Sequence, residues 1–499
     1  MRDWLATRAD GTPETNAIAA GGDVATPRSY ADLNERVEVL AGRLAARGVG
    51  VDDALAVCAE TRIEFLEAVH AAQRLGAVLV PLNARLTAEE LAVRLDRIDP
   101  AAVACEAETE TAVTAAVEAT EQESTAIVSF DDPTDGAERL ESVQPEPFDL
   151  PEWEPDHPLV VMFTSGTTGE PKGVVLTLAN VLASATASAF RLGVGGDDCW
   201  HVTLPMYHMG GLAPVYRSVL YGTSLSIQRG FDPERTAEVM RQAGATCVSL
   251  VPTMLERMLD DGPFPDCRFV LLGGAACPPE LLARAHDREV QVAPTYGMTE
   301  AASQIATATP EQSRSHPDTV GNPLMFAEVT VVDDAGAVCR PGETGELVVT
   351  GPMVTPGYLD DEATREAFTN GGLRTGDVGH RDEAGRVYVH ARVDDTIVTG
   401  GENVDPSEVI AALRSHPAVD DAAVVGLDDE EWGERVGALV VFANGSEATA
   451  EALRDHCREH LAGYKLPRTV GFADAIPRTA SGTVDREAVR ATLETTDSA

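Results

Sequence analysis

Ala54-Leu-Ala-Val-Cys58, then Glu64 to Leu75, then Ala77-Val-Leu-Val-Pro-Leu82 is the stretch from which the fold is read. A short apolar run, a helix-like segment and a second apolar run follow one another, and that order argues for an α/β fold with parallel strands. Upstream, Ser29-Tyr-Ala-Asp-Leu-Asn-Glu-Arg-Val-Glu-Val-Leu40 carries apolar residues at helical spacing behind a Ser cap, and the pattern stops at Gly48. Residues 106–155 are acidic, with Pro145, Pro147, Pro151 and Pro155, and read as a weak strand followed by a surface connection. From 158 the alternation resumes: a strand Leu159 to Phe163, a Gly-rich loop, a helix from about Thr177, and strands near 202–204, 223–227, 246–251, 268–272 and 290–293. After about 325 the texture turns to short β-like runs, Glu328 to Val332, Gly345 to Val349 and Val387 to His390. A boundary falls at Arg392-Val-Asp-Asp, and 405–499 reads as a compact α+β unit. Its expected parts are a helix 406–415, strands near 422–426 and 436–442, a helix 447–461 and an irregular tail.

The chain has 499 residues, enough for about three structural units at roughly 150 residues each. With 44% hydrophobic and 24% charged residues it is globular in composition, yet 38 Lys+Arg against 81 Asp+Glu give a formal net charge of −43. Such a charge argues against nucleic acid and anionic membranes as partners. No apolar run reaches the roughly 18 residues of a spanning helix, and Met1 to Ala20 lacks a basic-then-apolar signal pattern. Only two lysines occur, Lys172 and Lys465. GC-driven drift explains arginine in place of lysine but not the excess of carboxylates; the expectation is a cytoplasmic protein of a high-salt cell, where screening relieves self-repulsion. Eight cysteines without a CxxC pair read as reduced, mostly buried thiols.

The strongest chemical signal is Phe163-Thr-Ser-Gly-Thr-Thr-Gly-Glu-Pro-Lys-Gly-Val174. Three glycines allow close approach of an anion, hydroxyls can donate to phosphate oxygens, and Lys172 supplies a cation. No G-x-x-x-x-G-K-[ST] register fits, so this is not a Walker A loop. A flexible linker is the plain alternative, but a linker has no need of one of only two lysines.

This segment resembles the phosphate-binding signature of the acyl-adenylate-forming superfamily, and further motifs of that family follow in order. They are Pro205-Met-Tyr-His-Met-Gly-Gly211, Gly273-Gly-Ala-Ala276, Thr295-Tyr-Gly-Met-Thr-Glu300, Gly345-Glu-Leu, Arg374-Thr-Gly-Asp377, Gly385-Arg through Arg392, Gly400-Gly-Glu-Asn-Val-Asp-Pro-Ser-Glu408 and Pro477-Arg-Thr-Ala-Ser-Gly482. The resemblance implies a large N-terminal domain, 1–393, of stacked α/β subdomains plus a β-rich subdomain, and a small mobile α+β C-terminal domain, 394–499. It also implies a reaction. A carboxylate attacks the α-phosphate of ATP, pyrophosphate leaves, and the thiol of coenzyme A cleaves the acyl-AMP, chemistry that needs positioning and charge neutralisation. Carried onto this chain, Thr164, Ser165, Gly166, Thr167, Thr168, Gly169 and Lys172 would hold the β- and γ-phosphates. Glu300 would hold Mg²⁺ and Thr299 would contact the α-phosphate. Gly273, Gly274 and Ala275 with Thr295, Tyr296, Gly297 and Met298 would form the adenine slot, Tyr296 stacking. Asp377 would accept the ribose hydroxyls, backed by Arg392. Asp394 would be the hinge about which the small domain turns between half-reactions, and Gly400, Gly401 and Glu402 would approach the coenzyme A arm. Taken singly, each has a structural alternative; Asp377, for example, could cap its own turn.

Several stretches are similar to one branch, the o-succinylbenzoate–CoA ligases of menaquinone biosynthesis: Leu204 to Leu212, Arg217-Ser-Val-Leu-Tyr-Gly222, Leu271 to Ala275, Tyr296 to Ile305, Ser415-His-Pro-Ala-Val419, Glu431-Trp-Gly433 and Leu461-Ala-Gly-Tyr-Lys465. Such a substrate carries two carboxylates, and the one that does not react needs polar recognition. His208, Arg217, Ser303 and Gln304 are polar where a fatty-acid pocket would be apolar. His208 as a gate for any substrate, and Arg217 as an ion-pair partner, are the alternatives. At the level of function, the alternatives are a medium-chain or aryl acid–CoA ligase and a non-catalytic nucleotide-binding homologue. The oligomeric state is not written in the sequence; a homodimer is carried as an expectation.

Two features stand apart. Pro477-Arg-Thr-Ala-Ser-Gly482 continues with Thr483 where the resembled family has a lysine toward the α-phosphate, and losing such a contact costs about 3–4 kcal/mol. Lys465 is the expected compensating catalytic cation, with Arg478 and Arg486 as further candidates. His456-Cys-Arg-Glu-His460 matches H-x-x-E-H, two metal-ligand types a helical turn apart. With no third ligand evident, a solvated helix face within Ala448 to Ala462 is the expectation.

Overall fold

The computed structural model describes residues 3–120, 124–164, 171–275, 277, 279–333, 335–369, 371–392, 397–404, 406–443, 445–477 and 484–497. Its contacts group into two compact units, Met1–Ala84, Leu95–Phe163 and Gly173–Ala391 in the first, Arg85–Arg94, Thr164–Lys172 and Arg392–Ala499 in the second.

The first unit contains the expected parallel sheets. Ala54–Cys58 pairs in parallel with Val78–Leu82 on one side and Ala102–Cys105 on the other, with helix Ile63–Leu75 as the crossover. These strands read as apolar runs because they are buried on both faces. Helix Tyr30–Ala45 starts at a reciprocal cap: the Ser29 side chain accepts from Asp32 N–H while Asp32 accepts from Ser29 N–H. A second sheet carries five successive parallel neighbours, Ser224–Ile227, Cys199–Val202, Cys247–Leu250, Phe269–Leu272 and Val292–Tyr296. The third, antiparallel, is built from Glu328–Val332, Gly345–Thr350, Gly372–Arg381, Phe368–Thr369 and Val387–Arg392. All eight cysteines are free thiols. Among the described residues, no helix is long and apolar enough to cross a membrane.

The structure corrects three local readings. Residues 106–155 hold a helix, Glu110–Ala119, and a parallel strand, Ala126–Ser129. Glu110 is buried and accepts backbone N–H bonds from Thr134, Asp135 and Ala137, so an acid that looked like surface texture anchors a loop. The chain after the Gly-rich loop enters a strand, Lys172–Thr177, before helix Leu178–Leu192 begins behind a Thr177–Asn180 capping box. The tail of the second unit is not irregular: Thr469–Phe472 pairs in parallel with Gly433–Phe442, and helix Arg486–Asp497 follows.

One residue of the third sheet's entry is strained. Phe326 has φ +75° and a half-exposed ring, a conformation that costs a non-glycine residue about 1–2 kcal/mol. Phe326→Gly is expected to raise stability by about 1 kcal/mol, read from thermal unfolding; a lower melting temperature would show that the ring's packing outweighs the strain.

Candidate active site

Leu272 and Pro294 are partners across two parallel strands, so the residues that leave those strands, Gly273 and Gly297, emerge on one edge of the sheet. Carboxyl ends of parallel strands are where open α/β sheets bind ligands. The space there excludes side chains. A Cβ on Gly273 would lie 2.6 Å from Thr295 Cγ2, and one on Gly297 would overlap the Ser303 carbonyl oxygen at 1.6 Å. The chain doubles back through Ala302 (φ +50°) and Ser303 (φ +110°), two left-handed non-glycine residues of the kind that concentrate at functional turns. Gly274 is left-handed too, at φ +81°, and Ala275 follows it half-buried.

Side chains then fix this edge. The Tyr296 hydroxyl donates to Asp377 Oδ2 at 2.6 Å, which orients a buried carboxylate carried by strand Gly372–Arg381. Glu300, in the short helical turn Thr299–Ala301, is 7% exposed, and its Oε1 accepts from the Tyr358 hydroxyl at 3.0 Å. Thr164 ends strand Pro158–Thr164 and Lys172 opens Lys172–Thr177; these strands are neighbours in the sheet, so both ends of the Gly-rich segment are held by strands. Ser165, Gly166, Thr167, Thr168 and Gly169 lie outside the described residues, as do Asp394, Arg478 and Thr483. Arg392 closes strand Val387–Arg392. His208 sits at the N-cap of helix Met209–Tyr221 with its ring edge-on to Tyr207 at 4.9 Å.

Arg217, on that same helix, is the most unusual group. It is 3% exposed, and its guanidinium donates to Gln304 Oε1 at 2.9 Å and to Ser184 Oγ at 3.2 Å. Both partners are neutral, and no carboxylate of the described residues pairs with it. Burial therefore pushes its proton affinity down, although an arginine stays charged. Gln304 is fully committed to protein: its Oε1 also accepts from Ser188 Oγ at 2.7 Å, and its Nε2 donates to Thr307 Oγ1 at 2.8 Å. Ser303, half-buried, precedes it.

In the second unit, Gly400 and Gly401 (φ +59° and +81°) make the two-residue turn joining Ile397–Thr399 to Glu402–Val404, the geometry that consecutive glycines favour. A Cβ on Gly400 would meet the Trp432 ring at 2.5 Å, and the Arg468 guanidinium lies 4.3 Å above that ring. Lys465 is 3% exposed. Its Nζ lies 2.6 Å from Glu408 Oε2 and 2.8 Å from Glu90 Oε1, so the charge expected to serve the α-phosphate is already answered inside this unit.

Family models for the AMP-binding enzyme and for its C-terminal domain match residues 5–359 and 408–483. The chain belongs to the AMP-binding enzyme family. A 2–succinylbenzoate–CoA ligase of Geobacillus kaustophilus (strain HTA426) is 39% identical over 502 residues, covering 100% of this chain and 99% of the relative. Among solved structures, a double mutant of Bacillus subtilis o-succinylbenzoate CoA synthetase bound to the product analogue OSB-NCoA superposes with a TM-score of 0.90 at 33% identity, over 98% of each chain. The same synthetase in complex with ATP and magnesium ion gives 0.73 at 33% identity, over 99% of each chain. In this AMP-binding enzyme, residues that motif reading passed over bond to the predicted ones. Ser184 and Ser188 lie four apart on helix Leu178–Leu192, on the face that meets Arg217 and Gln304. Their signal was present as two buried serines four apart in a helix rich in Ala and Leu. Tyr358, which holds Glu300, had none beyond its Pro-Gly-Tyr setting.

Proposed function

We propose that this AMP-binding enzyme joins 2-succinylbenzoate to coenzyme A with consumption of ATP. The acid carboxylate attacks the α-phosphorus, pyrophosphate leaves, and the coenzyme A thiol displaces AMP from the acyl-AMP. One observation carries the choice of acid: a buried Arg217 with neutral partners and no counter-charge among the described residues, which an anionic group of the ligand would complete. The second carboxylate of 2-succinylbenzoate is such a group, and a fatty acid has none. Gln304, with its amide spent on protein, positions Arg217 rather than touching substrate, while His208 and Ser303 line the acid's approach.

The nucleotide reading rests on the crowded edge at Gly273 and Gly297, with Asp377 as ribose acceptor and Thr299 toward the α-phosphate. Glu300, one carboxylate with a hydroxyl beside it, is the donor set Mg²⁺ takes when phosphates and water complete its shell. Bound there, Mg²⁺ would neutralise phosphate charge. In the second unit, the Gly400–Gly401 turn, Trp432 and the stacked Arg468 offer a small, cationic, aromatic surface suited to the coenzyme A arm.

A pyrophosphate-release assay over a panel of acids tests the reading. Turnover with 2-succinylbenzoate well above hexanoate and benzoate supports it; preference for either of those would replace the acid, and no release with any acid would favour a non-catalytic homologue. Asp394→Pro is expected to slow thioester formation more than adenylation, because a fixed φ favours one domain orientation. Equal slowing of the two half-reactions would remove Asp394 as the hinge. The proposal extends to a homodimer in the cytoplasm of a high-salt cell, supported by the acidic composition and by exposed Phe190 and Met325 as apolar surface for a partner copy. Dialysis from molar salt into dilute buffer should lower the unfolding midpoint; an unchanged midpoint would argue against salt dependence.

A further inference from the structure

His456, Glu459 and His460 converge on one face of helix Ala450–His460: one ligand atom of each lies within 4.8 Å of the others. The two rings are 4.8 Å apart between centroids, and the His416 ring lies 5.0 Å from that of His456. Hydrogen bonds assign both tautomers. The Ser415 hydroxyl donates its only proton to the Ala412 carbonyl at 2.7 Å, so in the 2.8 Å contact between Ser415 Oγ and His456 Nε2 the imidazole must be the donor. Glu89 Oε2, at 2.9 Å from His460 Nδ1, accepts and so holds the proton on that nitrogen. The lone pairs are thereby left on His456 Nδ1 and His460 Nε2. An imidazole whose other nitrogen donates to an oxygen acceptor is the arrangement in which histidine ligates metals.

We propose that His456, Glu459 and His460 form a binding site for a first-row divalent transition metal of the Zn²⁺ type, oriented from outside by Glu89 and Ser415. Two imidazoles and one carboxylate suit such an ion better than Mg²⁺, which takes oxygen donors. Ligand atoms about 3.3 Å apart are needed around a tetrahedral ion with bonds of about 2.0–2.1 Å, so side-chain rotation must close the present spacing. Through Ser415 as its outer partner, the ion would tie this helix to the turn after helix Pro406–Arg414.

Titrating the full-length protein with Co²⁺ alone, read by visible absorption, and then with Zn²⁺, read by thermal unfolding, tests the site. One Co²⁺ per chain and a higher melting temperature with Zn²⁺ are expected. His456→Ala and His460→Ala should each remove both signals, and Glu89→Gln should weaken Co²⁺ binding by about 10–100-fold. His380→Ala, which alters the separate His380–His390 pair, should change nothing. Far-ultraviolet circular dichroism of the metal-free variants, and His460→Gln as a second variant, guard against misfolding. Binding that survives in either histidine-to-alanine variant, or no Co²⁺ uptake at millimolar metal, would overturn the proposal.

Discussion

Replacing Arg217 with Met should lower kcat/KM for 2-succinylbenzoate by about 10²–10³ while leaving the fold at least as stable. Truncating one member of a buried, hydrogen-bonded charge pair costs about 2–5 kcal/mol of binding, and each 1.36 kcal/mol is tenfold in rate. In the free enzyme the same guanidinium is buried without a counter-charge among the described residues, and replacing such a cation with an apolar side chain of similar reach is neutral or stabilising. The neighbours tolerate its loss: Gln304 Oε1 keeps its bond from Ser188, and Ser184 Oγ keeps its bond to the Ala302 carbonyl. Activity and stability therefore part company, which a structural ion-pair partner would not allow. Pyrophosphate release with 2-succinylbenzoate and with benzoate, alongside thermal unfolding, reads both. Arg217→Lys should fall between wild type and Met, because it keeps the charge but not the planar fork. A Met variant that loses activity equally with both acids, or that unfolds, would move Arg217 from recognition to scaffolding.

Lys465→Met carries the opposite signature, a loss of stability. Removing this ammonium leaves Glu90 and Glu408, both largely buried, without their shared cation, and breaking a buried pair from one side costs about 3–5 kcal/mol. Adding Glu90→Gln and Glu408→Gln should restore much of that loss, since the damage lies in the stranded carboxylates. Chemical denaturation of the single and triple variants measures it. If Lys465→Met retained wild-type stability and instead lost acyl-AMP formation, the lysine would belong to the chemistry after all, as its survival in a chain nearly free of lysine first suggested.

How far the sequence carried the reading depended on whether a residue's neighbours lie near it in the chain. Ala54–Cys58 and Val78–Leu82 were legible because burial on both faces writes an apolar run directly into the sequence. Lys172–Thr177 was not, because a glycine loop followed by a capped helix looks continuous when the intervening strand is six residues long. Helix Glu110–Ala119 was hidden by its acids, one of which works as a buried loop anchor. At the site, ordered motifs located the residues that crowd Gly273 and Gly297. What motifs could not convey was how partners divide the work. Gln304 is polar and lies beside Arg217, yet its hydrogen-bonding capacity is spent, a fact that depends on Ser188 and Thr307. The pairing of Lys465 was out of view for the same reason: its two carboxylates lie 57 and 375 residues away.

The burial of Lys465 also changes how this protein meets reagents that attack amines. A protein of this size ordinarily presents dozens of side-chain ammoniums to acylating labels or aldehyde fixatives, and their products are mixtures. Here one of only two lysines is enclosed at 3% exposure between carboxylates, and the other, Lys172, stands half-buried at the start of strand Lys172–Thr177. Side-chain amine modification thus converges on Lys172, and on the proposed reading of the loop before it a bound phosphate chain would compete with the label, so that the extent of modification would gauge nucleotide occupancy.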